Sequence, residues 1–136
     1  MRNQLSGEGA FRSRKFLIYP LILTGTIALT SHFSAPDMGS MSITGLDKLV
    51  HFLIYGLLAT TWYEYWASRR LWPGMSLLLA LLLSAGFGVA DEFHQGLRPM
   101  RSFEFADMGA DFLGAVVALA MYRVRLYRRI LHTRVC

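Results

Sequence analysis

Long apolar runs separated by short polar segments dominate this chain from residue 16 onward. A helix that crosses a membrane needs about 20 mostly apolar residues, with a lower limit of about 17. The runs that meet this limit cover residues 16–33, 49–66, 73–90 and 105–122. The sequence therefore predicts an all-α fold, a four-helix transmembrane bundle, in which residues 1–136 form a single domain.

Proline positions and composition agree with this prediction. Pro20 and Pro73 fall in the opening turns of the first and third apolar runs, where a missing amide hydrogen costs little. Apolar residues make up 54% of the 136 residues, which is rich for an ordinary soluble domain. The single cysteine, Cys136, excludes an intrachain disulfide and a cysteine-rich metal motif.

Lysine and arginine residues are distributed unevenly between the connections. Eleven of the fourteen precede the first apolar run, separate the second from the third, or follow the fourth. The other three are Lys48, Arg98 and Arg101. Short segments rich in these residues stay in the cytoplasm, so we predict a multi-pass protein with both termini cytoplasmic. The basic residues flank apolar runs and form no stripe with exposed aromatics, so membrane lipids are expected partners and nucleic acid is not.

Acidic residues and histidines concentrate at the opposite, non-cytoplasmic ends of the predicted helices. On the second helix, Asp47, His51 and Tyr55 recur every four residues and share one face. Asp47 could therefore orient the His51 ring. On the third helix, Asp91 and Gln95 share a face, whereas Glu92 points elsewhere.

The fourth predicted helix carries Asp107 and Asp111 one turn apart. It follows Arg101 and Ser102, and Ser102 is a candidate N-cap. Asp111 lies more than two turns inside, where an ionised carboxylate is costly unless it is paired or protonated. A structural ion pair with one of the three basic residues on this side of the membrane is the alternative to a functional role.

This cluster permits two kinds of chemistry. Mixed oxygen and nitrogen ligands could bind a divalent metal such as Zn²⁺ or Mn²⁺. The candidate metal ligands are His51, Asp91, Asp107 and Asp111. Alternatively, His51 could act as a general base, with Asp91 and Asp107 as further catalytic candidates, while Arg98 and Arg101 hold an anionic group. No H-E-x-x-H motif or Gly-rich phosphate loop supports either, so enzymatic function and cofactor stay open.

Three motifs in this region resemble those of the VanZ-like family of bacterial membrane proteins and occur in the same order. They are D-K-L-V-H-F-L-I-Y at 47–55, D-E-F-H-Q at 91–95, and R-S at 101–102 followed by Asp107, Asp111 and Gly114. The resemblance covers Asp47 to about Ala118. The chain departs from the family where Asp111 replaces a frequent Asn and where Met100 replaces a frequent Gly.

The resemblance implies a helical protein of the bacterial inner membrane, whose family namesake is linked to resistance against teicoplanin. We expect the cluster to recognise a polar or anionic ligand of the cell envelope, such as a lipid-linked cell-wall precursor or a glycopeptide. The candidate binding residues are Asp47, Lys48, Tyr55, Glu92, Gln95, Arg101 and Ser102. The alternative is a membrane-embedded hydrolase or transferase acting on a lipid-linked substrate. An ion pathway is a weaker hypothesis, because the cytoplasmic halves of the predicted spans carry no line of charges.

Small residues four positions apart predict close packing between helices. These pairs are Gly86 with Ala90, Ala110 with Gly114, and Gly114 with Ala118. The same pattern is compatible with a homo-oligomer. We favour packing within one bundle.

Overall fold

The computed structural model describes residues 4–32, 45–97 and 103–135, and within them the side chains of 16–32, 45–97 and 103–125. The helices are α1 (Gln4–His32), α2 (Leu46–Ser68), α3 (Pro73–Gly96) and α4 (Phe105–Val135). The described residues contain no strand. The predicted all-α fold of four helices is confirmed.

The helices extend beyond the apolar runs that predicted them. α1 begins at Gln4 instead of residue 16, and α4 continues past residue 122 to Val135. Helical hydrogen bonds join backbone groups and do not require apolar side chains, so polar residues continue the helices. Pro73 lies in the first turn of α3, as predicted. The same prediction is wrong for Pro20, which lies inside α1 because that helix begins earlier.

α2 is the central helix, since each of the other three helices has its most extensive contact with α2, and the contact with α4 is the largest. The two backbones approach closely at Gly114, where an added Cβ would collide with the Phe52 carbonyl oxygen. A Cβ added to Gly56 would lie 2.9 Å from the Gly114 oxygen and 3.1 Å from the Ala118 Cβ. The predicted packing of Gly114 and Ala118 therefore occurs inside the bundle.

The pair Gly86 and Ala90 does not pack in this way. Both residues are exposed, and a Cβ added to Gly86 would meet no atom within 4 Å. α3 instead buries Ser76, Ala80 and Ser84. The prediction that Gly86 and Ala90 pack within the bundle is wrong, because they lie on the opposite face of the helix.

Apolar side chains cover the outside of the bundle, whereas several polar side chains lie inside. Segments Pro73–Gly96 and Phe105–Arg125 are long and apolar enough to cross a membrane. Only 22% and 28% of their apolar stretches are buried, whereas the core helix of a soluble protein would be mostly buried. The apolar part of α1, Phe16–His32, is shorter. These features favour a membrane protein, and the four predicted spans stay a prediction.

Candidate functional site

One end of the bundle collects the polar residues that the sequence singles out. The C-terminal ends of α1 and α3 meet the N-terminal ends of α2 and α4 there, and we call this the polar end. Ser31 of α1 donates a hydrogen bond to Asp91 of α3, and Lys48 of α2 donates one to Asp107 of α4. Outside the described residues lie Arg98, Arg101 and Ser102.

Lys48 is surrounded by three carboxylates at the rim of the polar end. Its Nζ donates hydrogen bonds to Glu104 Oε2 and Asp107 Oδ1 at 2.9 Å each, and to Asp47 Oδ2 at 3.4 Å. We call these four residues the Lys48 cluster. The hydrogen bonds to Glu104 and then to Asp107 raise the pKa of Lys48, so its ammonium group stays charged. This ammonium group is the cation that the three carboxylates share.

His51 lies one turn further along α2 and pairs with Asp111 of α4. Its Nδ1 lies 2.9 Å from Asp111 Oδ1, and Asp111 is only 2% exposed. Gly88 of α3 leaves the space for this carboxylate, because an added Cβ there would lie 2.8 Å from Asp111 Oδ2. The prediction that Asp47 orients the His51 ring is wrong, because Asp47 bonds to Lys48 and the orienting carboxylate comes from α4.

Glu92 is buried on the side of α3 that faces α4, with an exposed fraction of 1%. Its Oε2 accepts a hydrogen bond from the Glu104 amide at 3.3 Å. Its Oε1, and likewise Oδ2 of Asp111, has no hydrogen-bond partner among the described residues. Buried acceptors without a partner are costly and uncommon. This part of the site therefore has hydrogen-bonding or ligand capacity that the described residues leave unused.

The side chains of His51, Glu92 and Asp107 come together across three helices. One nitrogen or oxygen atom from each lies within 4.8 Å of the other two. We call these residues the His51–Glu92–Asp107 group. It contains two of the predicted metal ligands, whereas Asp111 bonds to His51 and Asp91 faces the pocket between α1, α2 and α3. Successive residues in a helix point about 100° apart, so the Asp91 and Glu92 side chains extend from α3 in different directions.

Asp91 forms the polar floor of a pocket between α1, α2 and α3. Its Oδ2 accepts hydrogen bonds from the Ser31 hydroxyl at 2.8 Å, the Gln95 amide at 2.9 Å and the Tyr55 hydroxyl at 3.2 Å. The pocket has a volume of about 160 Å³ and also touches His51. Its apolar wall contains Ile27, Val50 and Ile54. We call this cavity the Asp91 pocket.

Ser31 is the site residue that sequence reasoning missed. It is 8% exposed and donates the shortest of the three hydrogen bonds to Asp91. A single serine in an apolar run has no partner at helical spacing, so the sequence offers no local signal for it. The packing of α1 against α3 is what reveals it.

A comparison with protein families gives a match over nearly the whole chain. The model of the family described as VanZ/LLP1 matches residues 3–128. The protein belongs to this family. Membership in VanZ/LLP1 confirms the resemblance found in the three motifs and extends it over α1 and much of α4. No curated protein and no solved structure matches the chain.

Proposed function

We propose that this VanZ/LLP1 protein is a multi-pass protein of the bacterial cytoplasmic membrane that recognises a polar group of a cell-envelope ligand at its polar end. Family membership and the two long apolar helices support the membrane location. Arg69 and Arg70 connect α2 to α3 at the other end of the bundle, as expected for a cytoplasmic connection. A contribution to glycopeptide resistance would follow from retaining or masking such a ligand.

The Asp91 pocket carries this proposal. A carboxylate that is 5% exposed faces a cavity among helices whose outer surfaces are apolar. Three protein donors hold one of its oxygens in place, which orients the group before a ligand arrives. The volume of about 160 Å³ is below the roughly 300–1,000 Å³ of pockets for drug-sized ligands. It suits a small headgroup or a side chain, and not a whole glycopeptide.

The charges at the polar end indicate which kind of group fits. The described residues there include six carboxylates, whereas the basic groups are the Lys48 ammonium group and the imidazoles of His32, His51 and His94. A ligand group with a positive charge or several hydrogen-bond donors, such as a primary ammonium group, is therefore favoured over a phosphate in the Asp91 pocket. An anionic part of the same ligand would need a basic partner other than Lys48, whose ammonium group already bonds to three carboxylates.

Native mass spectrometry of the detergent-purified protein tests the proposal. We would titrate it with phosphatidylethanolamine, phosphatidylglycerol and a lipid-linked peptidoglycan precursor. We expect saturable binding of an amine-bearing ligand and at least tenfold weaker binding to Asp91→Asn. Glu64→Gln, which alters a carboxylate far from the polar end of α2, should bind like the wild type. Equal retention of all three lipids by the wild type and Asp91→Asn would contradict the proposal.

The proposed orientation has a separate test that uses the single cysteine. Cys136 should react with a membrane-impermeant maleimide only after the cells are permeabilised. In a Cys136→Ser background, Leu97→Cys should react in intact cells, because Leu97 is 71% exposed and follows α3 at the polar end. The reverse pattern of labelling would contradict the orientation while leaving ligand recognition open.

An enzyme acting on a lipid-linked substrate is the second candidate, and the His51–Asp111 pair favours it. A carboxylate that binds one ring nitrogen can hold histidine in one tautomer and leave the other nitrogen to act as a base. Incubation of the wild type with the lipid-linked precursor should then give a product that chromatography separates. Loss of that product in His51→Gln, with ligand binding retained, would support the enzyme; binding without turnover would support recognition alone.

A further inference from the structure

We propose that His51, Glu92 and Asp107 bind one divalent transition-metal ion, such as Zn²⁺ or Mn²⁺, and that Asp111 positions His51 for this role. The His51–Glu92–Asp107 group lies beside the Asp91 pocket and shares His51 with it. The metal site stands independently of the ligand proposed for that pocket.

The distances suit a metal ion after small side-chain movements. One ligand atom from each of the three residues lies within 4.8 Å of the other two. Around a tetrahedral ion with bonds of about 2.0–2.2 Å, ligand atoms lie roughly 3.4 Å apart, so each pair of ligand atoms must close by at most about 1.4 Å. One imidazole and two carboxylates form a ligand set that Zn²⁺ and Mn²⁺ accept. Three protein ligands also leave a position for water or a bound molecule.

Glu92 provides an observation that does not depend on clustering. The residue is 1% exposed, and its Oε1 has no hydrogen-bond partner among the described residues. A buried carboxylate with an unused oxygen is expected to be stabilised by a cation or a proton. A metal ion held by His51 and Asp107 would supply that missing partner.

Asp111 explains how His51 is prepared as a ligand. Metal-binding histidines commonly donate the other ring N–H to a carboxylate, which fixes the tautomer and the ring orientation. Asp111 Oδ1 lies 2.9 Å from His51 Nδ1, so Nε2 is left to bind the metal. This positioning role explains why Asp111 is buried, because His51, the residue that it orients, is itself half-buried.

The neighbouring Lys48 cluster shows why proximity of carboxylates alone is insufficient. One carboxylate oxygen from each of Asp47, Glu104 and Asp107 also lies within 4.8 Å of the other two. They already surround the Lys48 ammonium group, and Asp47 and Glu104 are exposed. Asp107 belongs to both sets, and Lys48 uses its Oδ1. The Lys48 cluster is therefore satisfied without a metal.

Metal titration of the full chain tests the proposal. The detergent-purified protein is stripped with a chelator and titrated with Zn²⁺ and Mn²⁺ by calorimetry. We expect one saturable site per chain and at least 100-fold weaker binding in Glu92→Gln and Asp107→Asn. Asp111→Asn, which alters a positioning residue, should weaken binding about 10–100-fold. Asp91→Asn, which changes the adjacent carboxylate of α3, should leave the Kd within about threefold.

A second measurement needs no variant and so does not depend on variants folding. X-ray absorption of the Zn²⁺-loaded wild type should show one histidine nitrogen together with carboxylate oxygens at about 2.0–2.2 Å. Absence of saturable binding, absence of histidine from the ligand set, or equal weakening by Asp91→Asn and Glu92→Gln would each overturn the proposal. Lipid binding tests the Asp91 pocket and metal binding tests Glu92, so the two proposals fail separately.

Discussion

Asp91 and Glu92 are neighbours in α3, yet they lie in two different environments. Asp91 accepts three hydrogen bonds on one oxygen and faces a pocket. Glu92 accepts one long hydrogen bond and keeps a buried oxygen without a described partner. The turn of about 100° between successive helical residues directs one toward α1 and α2 and the other toward α4. What the sequence predicts as one cluster is thus two sites that share His51.

The two sites depend on different helices for their completion. Ser31 of α1 contributes to the Asp91 pocket, whereas Asp107 and Asp111 of α4 complete the His51–Glu92–Asp107 group and orient its histidine. α2 and α3 contribute to both. Changes at the α2–α4 contact should therefore affect Glu92 and its neighbours first, and changes around Ser31 and Tyr55 should affect Asp91.

The largest expected effect comes from separating α2 from α4. In Gly114→Leu, the new side chain would collide with the backbone of α2 at Phe52, which cannot move away without displacing the helix. We expect a loss of more than about 3 kcal/mol in the free energy of unfolding, measured as a lowered melting temperature in detergent. Gly109→Leu is the matched control, because a Cβ there meets no atom within 4 Å. Equal melting of the two variants would contradict the close α2–α4 contact.

A smaller effect should follow from removing the partner of Asp111. His51→Leu leaves that carboxylate buried without a donor and should cost about 2–3 kcal/mol, less than a fixed buried charge would, because Asp111 can take up a proton. The double variant His51→Leu/Asp111→Asn also removes the Asp111 carboxylate and should be more stable than His51→Leu alone. Thermal melting of His51→Leu, Asp111→Asn and the double variant measures the coupling energy between the two side chains. Additive losses would show that the two side chains do not form a pair.

The fold was largely predictable, because the length of each apolar run predicts a helix without reference to its neighbours. The ends of the helices were less predictable, as Pro20 shows, because backbone hydrogen bonds continue through polar residues. Packing within the bundle was predictable for Gly114, whose neighbours four positions away are small. It was not predictable for Gly86, because the same spacing occurs on the outer face of α3.

The location of the site was predictable but its pairing was not. The motifs correctly bring α2, α3 and α4 together at one end. Spacing within a helix suggested Asp47 as the partner of His51, yet Asp111 from another helix takes that position. The rotation of one helix relative to another decides such contacts, and no local spacing encodes it. Ser31 illustrates the same limit, since only the position of α1 connects it with Asp91.

The smallest expected effect concerns the Asp91 pocket. Tyr55→Phe removes one of three donors to Asp91 and keeps the ring that stacks on His51. We expect a cost of about 1 kcal/mol, because two donors remain on the same oxygen. Tyr63→Phe is the control, as that ring packs on Tyr122 away from the polar end.

Thermal melting of these two tyrosine variants tests how far the Asp91 pocket depends on the Tyr55 hydroxyl. A loss in Tyr55→Phe that clearly exceeds the loss in Tyr63→Phe would show that Asp91 relies on all three donors, as an orienting role requires. A loss equal to that of the control would mean that Ser31 and Gln95 satisfy Asp91 without Tyr55. The Tyr55 hydroxyl would then be available to a ligand. The Asp91 pocket would then resemble the surroundings of Glu92, where the Oε1 atom of Glu92 is a polar group without a described partner.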